Sequence, residues 1–307
     1  MMPERATSGQ ALRPRDARSV ARHIALSTLS SLSAEGRHAE RWLSRPRVHF
    51  VLLHHVFQDE EPGFRALLAE LAETHRFIGY SEAVQRVATG GIDAPYLAFS
   101  FDDGLKTCLR AAALLEEHGT RACFFVCPGI LGETRPEALD HFCRDRLHVP
   151  PLDMMGWGDV EELLGRGHEI GGHTVSHRDL AQLTPAEMHD EVGGSFEMLS
   201  GRLGAIEHFA WPYGRFATFT PEAAACVYDS GYRSCASALR GCHVDGGAAA
   251  EARPCLRREN VEALWPRGHT RYLLARSARL HQIAGKSWPE GWRGGEPARL
   301  AAQRSSG

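Results

Sequence analysis

The stretch YLAFSFDDGL, residues 96–105, decides the fold of this chain more than any other. Its first six residues are apolar or small, as in a buried strand, and the run then stops at Asp102, Asp103 and Gly104. Ionised carboxylates at the end of a buried strand are unfavourable unless something binds them. The stretch therefore predicts a strand that delivers two carboxylates to a binding or catalytic site.

Histidines follow two other strand-like segments. Residues 48–56 (VHFVLLHHV) predict a buried strand that ends at His54 and His55, and residues 169–170 lead a short strand into the segment HTVSH, residues 173–177. Carboxylates and paired histidines are the ingredients of a metal site with a built-in base. Polar groups at the carboxyl ends of several strands are typical of the active sites of α/β barrels.

Strand and helix patterns alternate through most of the chain. This rhythm predicts an α/β fold with a parallel sheet, open or closed into a barrel. Residues 128–156 are rich in proline and glycine and are expected to form an irregular insertion, and order is expected to weaken after Gly241. The predicted strands are 48–56, 96–101, 121–127, 169–170, 207–211 and 232–236, and the predicted helices are 63–75, 81–87, 106–118, 157–166, 184–203, 220–230 and 272–284.

The bulk composition excludes several classes of protein. The 307 residues are 43% apolar, which is enough for one large domain or two small ones. With 35 basic and 38 acidic residues the formal net charge is −3, which predicts no binding to nucleic acid or to a strongly acidic membrane. No run approaches the ~18 apolar residues of a transmembrane segment.

The ends of the chain and its cysteines suggest a location. Residues 1–23 are rich in arginine but contain no continuous apolar core, so we expect a helical or partly disordered leader over residues 1–45, with a transit peptide as the alternative, rather than a secretory signal. The eight cysteines form no CxxC pair and are expected to be reduced, which favours the cytoplasm. Residues 285–307 are expected to be a flexible tail.

Three motifs in a fixed order carry a family resemblance. The segments FDDG at 101–104, HTVSH at 173–177 and WPYG at 211–214 resemble those of the NodB-type polysaccharide deacetylases, carbohydrate esterase family 4. The resemblance spans residues 48–260, within a domain expected at 46–284. It implies a distorted (β/α) barrel and a divalent-metal-dependent hydrolase that removes an acetyl group from an N-acetylated amino sugar or glycan.

The first two motifs supply the expected metal site and base. His173 and His177 are four residues apart and can meet one ion if the segment makes a single turn. Asp103 is the third ligand by its position in the motif, and Asp102 is then the general base. The two nitrogen ligands favour Zn²⁺, although Co²⁺, Ni²⁺ or Mn²⁺ would also be accepted.

The third motif implies groups that bind the substrate. By the resemblance, the backbone N–H of Tyr213 stabilises the oxyanion of the tetrahedral intermediate. Trp211 is expected to stack on a sugar ring, with Pro212 and Gly214 completing the substrate-binding turn.

Two further roles depend on a subgroup of the family. Many members take the leaving-group proton from a late histidine, whereas the subgroup with an aromatic residue before Pro-Tyr-Gly carries a Tyr-His pair after its first strand. His55 matches that histidine and is the expected general acid, and His54 replaces the tyrosine beside the substrate. The arginine that often orients the base is missing, and Arg257 or Arg258 is expected to supply the cation.

Each motif alone has an ordinary structural explanation. The aspartate pair could cap a helix, the histidines could bind loop backbone groups, and Pro-Tyr-Gly could be only a turn. Two other functions also remain open: hydrolysis of a non-sugar amide or cyclic imide, and a degenerate barrel that only binds carbohydrate.

Overall fold

The structure is a computed structural model that describes residues 7–12, 17–247, 252–289 and 292. Parallel strands form its centre, and their inward and outward faces are both covered, so the strand segments read as continuous apolar runs. β1, for example, is buried at every position. The strands are β1 (Arg47–Leu53), β2 (Arg76–Phe77), β3 (Pro95–Phe101), β4 (Ala122–Val126), β5 (Glu169–Gly172), β6 (His208–Ala210), β7 (Ser234–Ala236), β8 (Cys242–Val244), β9 (Cys255–Leu256), β10 (Arg258–Asn260) and β11 (Gln282–Ala284).

The sheet curls into a distorted barrel. Parallel pairing runs in the order β1, β3, β4, β5, β6, β7 and β9. The segment that contains β9 continues directly into β10, which pairs with β1, so this segment contacts both ends of the parallel series. The expectation of a distorted (β/α) barrel is confirmed. Because the main strands are parallel, their carboxyl ends share one rim.

Helices surround the strands at positions close to those predicted. The longest, α10, begins as its sequence indicates: the Thr184 hydroxyl accepts a hydrogen bond from the Glu187 N–H, and the Glu187 carboxylate bonds back to Thr184. The helices are α1 (Gly9–Leu12), α2 (Ala17–Leu32), α3 (Ala34–Arg37), α4 (Ala39–Leu43), α5 (Glu61–Ala72), α6 (Tyr80–Thr89), α7 (Cys108–Glu117), α8 (Pro136–His141), α9 (Trp157–Gly165), α10 (Pro185–Leu203), α11 (Pro221–Asp229) and α12 (Arg267–Leu280).

The described part of the expected leader is helical and docks on the barrel domain. α2, α3 and α4 all contact α12. The Ser27 hydroxyl lies 2.9 Å from His269 Nε2, and Arg279 pairs with the buried Glu35 carboxylate. Among the described helices, none combines the length and the apolar character that crossing a membrane requires.

Two expectations about irregular regions need correction. The insertion at 128–156 contains α8 and a π-helical turn (Phe142–Leu147) that its prolines and glycines concealed. The boundary of a flexible tail at residue 285 does not fit, because Trp288 is 8% exposed, stacks near Phe219 and donates its indole N–H to the Arg253 carbonyl. Of the later residues in the expected tail, only Pro289 and Trp292 are described.

Smaller differences concern local starts and late strands. The helix predicted to start at residue 81 starts at Tyr80, and the N–H and hydroxyl of Ser81 bond to the Glu169 carboxylate. Where order was expected to weaken after Gly241, the described residues include β8 to β11, and residues 248–251 of this region lie outside the described residues. These short strands have few residues each, so their periodicity was too brief to identify them from sequence.

Candidate metal centre and active site

The two aspartates leave β3 in different directions. Asp102 continues the strand, with its N–H bonded to the Leu53 carbonyl of β1 at 3.1 Å. Asp103 and Gly104 then adopt left-handed backbone conformations, with φ of +74° and +75°. This turn is unusual for a non-glycine residue, and it separates the two carboxylates so that each has its own partners.

Asp103 lies between the two motif histidines. Its Oδ1 is 3.4 Å from His173 Nε2 and 3.3 Å from His177 Nε2, and one ligand atom from each residue lies within 4.8 Å of the others. Burial opposes ionisation of Asp103, but the hydrogen bonds to both histidines outweigh it and hold the pKa of the carboxyl well below its usual range. All three side chains are buried.

The backbone turn at 173–177 is what brings the histidines together. Thr174 and His177 have φ of +63° and +56°, so the segment is a tight left-handed turn rather than a helical one. The His177 N–H donates to the Thr174 hydroxyl at 2.9 Å. α10 secures the turn from outside, because Glu191 accepts the Ser176 N–H at 2.8 Å and its carbonyl accepts the Val175 N–H.

The donor set fits a divalent cation. The Nδ1 of His173 lies 2.7 Å from the Ala210 carbonyl and donates to it, so Nε2 is the nitrogen that faces Asp103 and is available to a metal. A carboxylate and two neutral imidazoles are a common set for a catalytic zinc site that keeps positions open. Asp103, His173 and His177 are therefore the residues that could hold a metal.

Arg258 fixes the second carboxylate. Its Nη1 and Nη2 donate to the two oxygens of Asp102 at 2.7 and 2.8 Å. Arg258 is 0% exposed, and the guanidinium also donates to Ser100 Oγ and to the Ser237 carbonyl. Burial would lower the pKa of Arg258, but the Asp102 charge raises it above its ordinary value. The pair is thus a bidentate, buried ion pair.

Arg257 does not share this role. Its guanidinium lies over the Phe216 ring, 5.0 Å from the centroid, and its backbone N–H donates to His243 Nε2. Adjacent residues of an extended segment point to opposite sides, so only one of the two arginines can face the barrel interior. Of the two candidates for the missing cation, the structure brings Arg258 to Asp102.

A carboxylate that the sequence analysis missed contacts His55. Glu60 Oε2 lies 2.8 Å from His55 Nδ1 and accepts the Phe57 N–H at 2.9 Å. Glu60 is 1% exposed. The short 3₁₀ turn at 58–60 folds this side chain back onto the histidine. An acid five residues after a candidate histidine is the only sequence signal for it.

A cavity of about 350 Å³ lies at the rim of the parallel strands. Its wall includes both aspartates, Tyr213, Gly214 and four histidines, His54, His55, His173 and His177. Further lining residues that sequence reasoning did not select are Glu60, Leu105, Asn260 and Glu262, together with Leu147 to Val149 of the insertion.

Only Tyr213 and Gly214 of the third motif line the cavity. Tyr213 has φ of +64°, its hydroxyl donates to the Arg146 carbonyl at 3.1 Å, and its ring lies 4.9 Å from that of His177. Gly214 also has a positive φ, and an added Cβ would lie 2.3 Å from Ala238 Cβ, so glycine is required there. Pro212 is buried behind the turn.

Trp211 does not reach the cavity. It is 1% exposed, stacks on Phe219 with ring centroids 4.2 Å apart, and donates its indole N–H to the Arg215 carbonyl. Neither face of the ring is free for a sugar, so the stacking role expected for Trp211 does not fit the structure. Its contacts instead support the turn that carries Tyr213.

Comparison with known proteins agrees with the motifs. The sequence model of the polysaccharide deacetylase family matches residues 90–233. A chitooligosaccharide deacetylase of Bradyrhizobium sp. (strain ANU 289) is 30% identical over 95 residues, which are 30% of this chain and 33% of that protein. The aligned region thus spans about a third of the length of this curated relative.

Solved structures share the fold. IcaB from Ammonifex degensii matches with a TM-score of 0.54 and 20% identity, over 74% of this chain and 99% of that one. The polysaccharide deacetylase BC0361 from Bacillus cereus matches with a TM-score of 0.58 and 14% identity, over 75% and 69% of the two chains. His55 and Arg258 lie outside the segment matched by the family model, whereas the three motifs lie inside it. Residues 90–233, which contain the three motifs, therefore match the polysaccharide deacetylase family, and the solved structures share the fold.

Proposed function

We propose that this protein is a metal-dependent N-deacetylase that releases acetate from an N-acetylated amino sugar or glycan. One observation carries the proposal: Asp103, His173 and His177 present three ligand atoms within 4.8 Å of one another, beside a separate carboxylate, Asp102. The match of residues 90–233 to the polysaccharide deacetylase model favours the same chemistry, and the curated relative is a chitooligosaccharide deacetylase.

Amide hydrolysis needs help at the carbonyl, at the attacking water and at the leaving nitrogen. A divalent cation held by Asp103, His173 and His177 would polarise the carbonyl and acidify the water. We favour Zn²⁺ for the two imidazole ligands, with Co²⁺, Ni²⁺ or Mn²⁺ as alternatives.

Asp102 is the general base in this proposal. Arg258 occupies one lone pair of each carboxylate oxygen and fixes the plane of the group, while the remaining lone pairs can accept the proton of the attacking water. Because Asp102 lies next to Asp103 in the chain, the base is held beside the metal ligands by the backbone itself. Tyr213 and Gly214 line the same cavity, where the backbone N–H of Tyr213 is the proposed donor to the oxyanion.

His55 is the proposed general acid. Its Nδ1 faces the buried Glu60 carboxylate, which orients the ring and leaves Nε2–H to protonate the leaving nitrogen. The C–N bond then breaks, a C–O bond has formed from water, and the products are acetate and a free amine. Glu60 acts through His55 and is a positioning residue, and His54 is a proposed substrate contact beside it.

A cytoplasmic substrate is part of the proposal. All eight cysteines are free thiols, and seven of them are buried, which suits a reducing compartment. Fractionation of cells that produce the protein tests this location.

The experiment that tests the function combines metal analysis with product detection. Purified protein loaded with Zn²⁺ is expected to release acetate from N-acetylglucosamine or its oligomers and to lose this activity on chelation. Ring opening of cyclic imides without acetate release would instead support the non-sugar amidase. Sugar binding with no bound metal and no turnover would support a degenerate binding barrel.

A further inference from the structure

One segment precedes the barrel and another interrupts it. The two line the cavity on opposite sides of the catalytic groups. Gly9 and Leu12 of α1 line it beside His55 and Glu60. Leu147, His148 and Val149 line it beside Tyr213. β1 and β6 are four steps apart along the ring of parallel strands, so the residues that follow them face each other across the rim.

The wall formed by α1 lies in close contact with the 3₁₀ turn at 58–60. The Gly9 N–H donates to Asp59 Oδ1 at 3.0 Å. A Cβ added to Gly9 would lie 2.2 Å from Glu60 Oε1, and the Glu60 carboxylate is itself held by His55 and by the Phe57 N–H. Only glycine allows the backbone to approach this closely, so α1 sits directly on the 58–60 turn.

The opposite wall is also fixed by hydrogen bonds. The carbonyl of Arg146 accepts the Tyr213 hydroxyl, and the Val149 N–H donates to the Cys143 carbonyl at 2.9 Å. His148 adopts a left-handed conformation, with φ of +58°, and stacks near the Tyr213 ring. Neither wall depends on long, mobile surface side chains.

The enclosed space suits a small ligand. A volume of about 350 Å³ lies at the low end of the ~300–1,000 Å³ range of small-molecule sites. Its apolar surface fits an acetyl methyl group and the C–H faces of a sugar ring. That apolar surface comes from Leu12, Leu105, Leu147, Val149 and Leu152.

We infer that the two walls restrict this enzyme to a single N-acetylated sugar or to the terminal unit of a chain, and exclude the internal units of a polymer. An internal unit needs an open groove on both sides of the reacting acetamide, and the walls of α1 and residues 147–149 occupy those positions. The inference rests on the proposed deacetylase function and adds its substrate class.

The test counts acetates released from N-acetylglucosamine oligomers. Zinc-loaded wild-type protein is incubated with the pentamer to completion, and the products are analysed by mass spectrometry with sequencing of the fragments. We expect loss of one acetyl group per chain, always from a terminal unit, and turnover of the monomer as well. Release of several acetyl groups, or of internal ones, would overturn the inference while leaving the deacetylase function intact.

Opening one wall provides the second measurement. The double variant Leu12→Ala, Asp59→Ala removes a lining side chain and the bond to Gly9, and the control Leu32→Ala, Asp93→Ala makes the same changes at exposed positions away from the cavity. We expect the wall variant to release at least two acetates per pentamer and the control to release one. An unchanged count in the folded wall variant would contradict the role of α1. If no acetate is released from any saccharide, the monomer included, the deacetylase function and this inference are rejected together.

Discussion

Replacing Arg258 with methionine tests how the base is held. The substitution removes both hydrogen bonds to Asp102 and leaves that carboxylate, 4% exposed, without its cation. Breaking a buried ion pair by removing one partner costs about 3–5 kcal/mol, because the remaining charge stays desolvated. With a urea dependence near 3 kcal/mol per molar, the unfolding midpoint should fall by about 1–2 M.

The assay is urea denaturation of wild type, Arg258→Met, Asp102→Asn and the double variant. The double variant should be less destabilised than the two single effects summed, because a neutral asparagine does not need a cation. Acetate release should fall in Arg258→Met even where the protein remains folded, since the base is no longer oriented.

An exposed arginine provides the control. Arg65 also pairs with carboxylates, Glu61 and Glu117, but its side chain is 43% exposed. Arg65→Met should therefore lower the free energy of unfolding much less than Arg258→Met does. The reasoning about the buried pair is refuted if Arg258→Met is no more destabilising than Arg65→Met. It is also refuted if the destabilisation of the double variant equals the sum of those of Arg258→Met and Asp102→Asn.

Three further predictions concern the acid, the base and pH. Asp102→Asn should keep its bound metal by elemental analysis but lose about 10²–10⁴-fold in acetate release; near-normal turnover would reject the base assignment. His55→Ala should lose activity with its metal content unchanged, and Glu60→Gln should lower kcat more than it changes KM; loss of metal from His55→Ala would make that residue a ligand. Burial lowers the pKa of His75 to about 4 and that of His243 to about 3, both below the ~6.5 of an unfolded histidine. Between about pH 6.5 and pH 4 the unfolded chain binds more protons than the folded protein, so the free energy of unfolding should fall as the pH is lowered, by up to about 1.4 kcal/mol per pH unit for each histidine. Above this range neither histidine should contribute to the pH dependence. Urea denaturation that showed no loss of stability across this range would contradict the prediction.

The sequence predicts the parts of the site that follow strong strands. β3 is a long apolar run, so Asp102 and Asp103 could be placed at its end without knowledge of the other strands. The histidines at 173–177 could also be placed after a strand, although β5 is short (Glu169–Gly172). What the sequence does not show is the left-handed backbone at Asp103, Thr174 and His177 that turns these side chains toward one point.

Residues whose role depends on distant partners were harder to predict. Arg257 and Arg258 are equivalent in sequence, and only the pairing of β10 with β1 decides which one faces Asp102. Trp211 was expected to meet substrate because it lies in a motif. Its ring stacks on Phe219, which in turn lies near Trp288, 77 positions after Trp211 in the chain, and local sequence cannot reveal that packing.

Glu60 and α1 illustrate a third difficulty. The contact of Glu60 with His55 requires the 3₁₀ turn at 58–60, which is too short to leave a periodic pattern. The approach of α1 to that turn depends on a single glycine in a segment expected to be a leader. Both features became visible only when the backbone geometry was known.

Metal binding tests the central claim most directly, since the account depends on three side chains meeting one cation. Equilibrium dialysis against Zn²⁺ should give one ion per chain for the wild type and for Asp102→Asn. Site occupancy should be lost in Asp103→Asn and in His177→Ala. If wild type binds no ion, or if these two variants bind it as tightly as wild type does, the proposed metal centre is wrong.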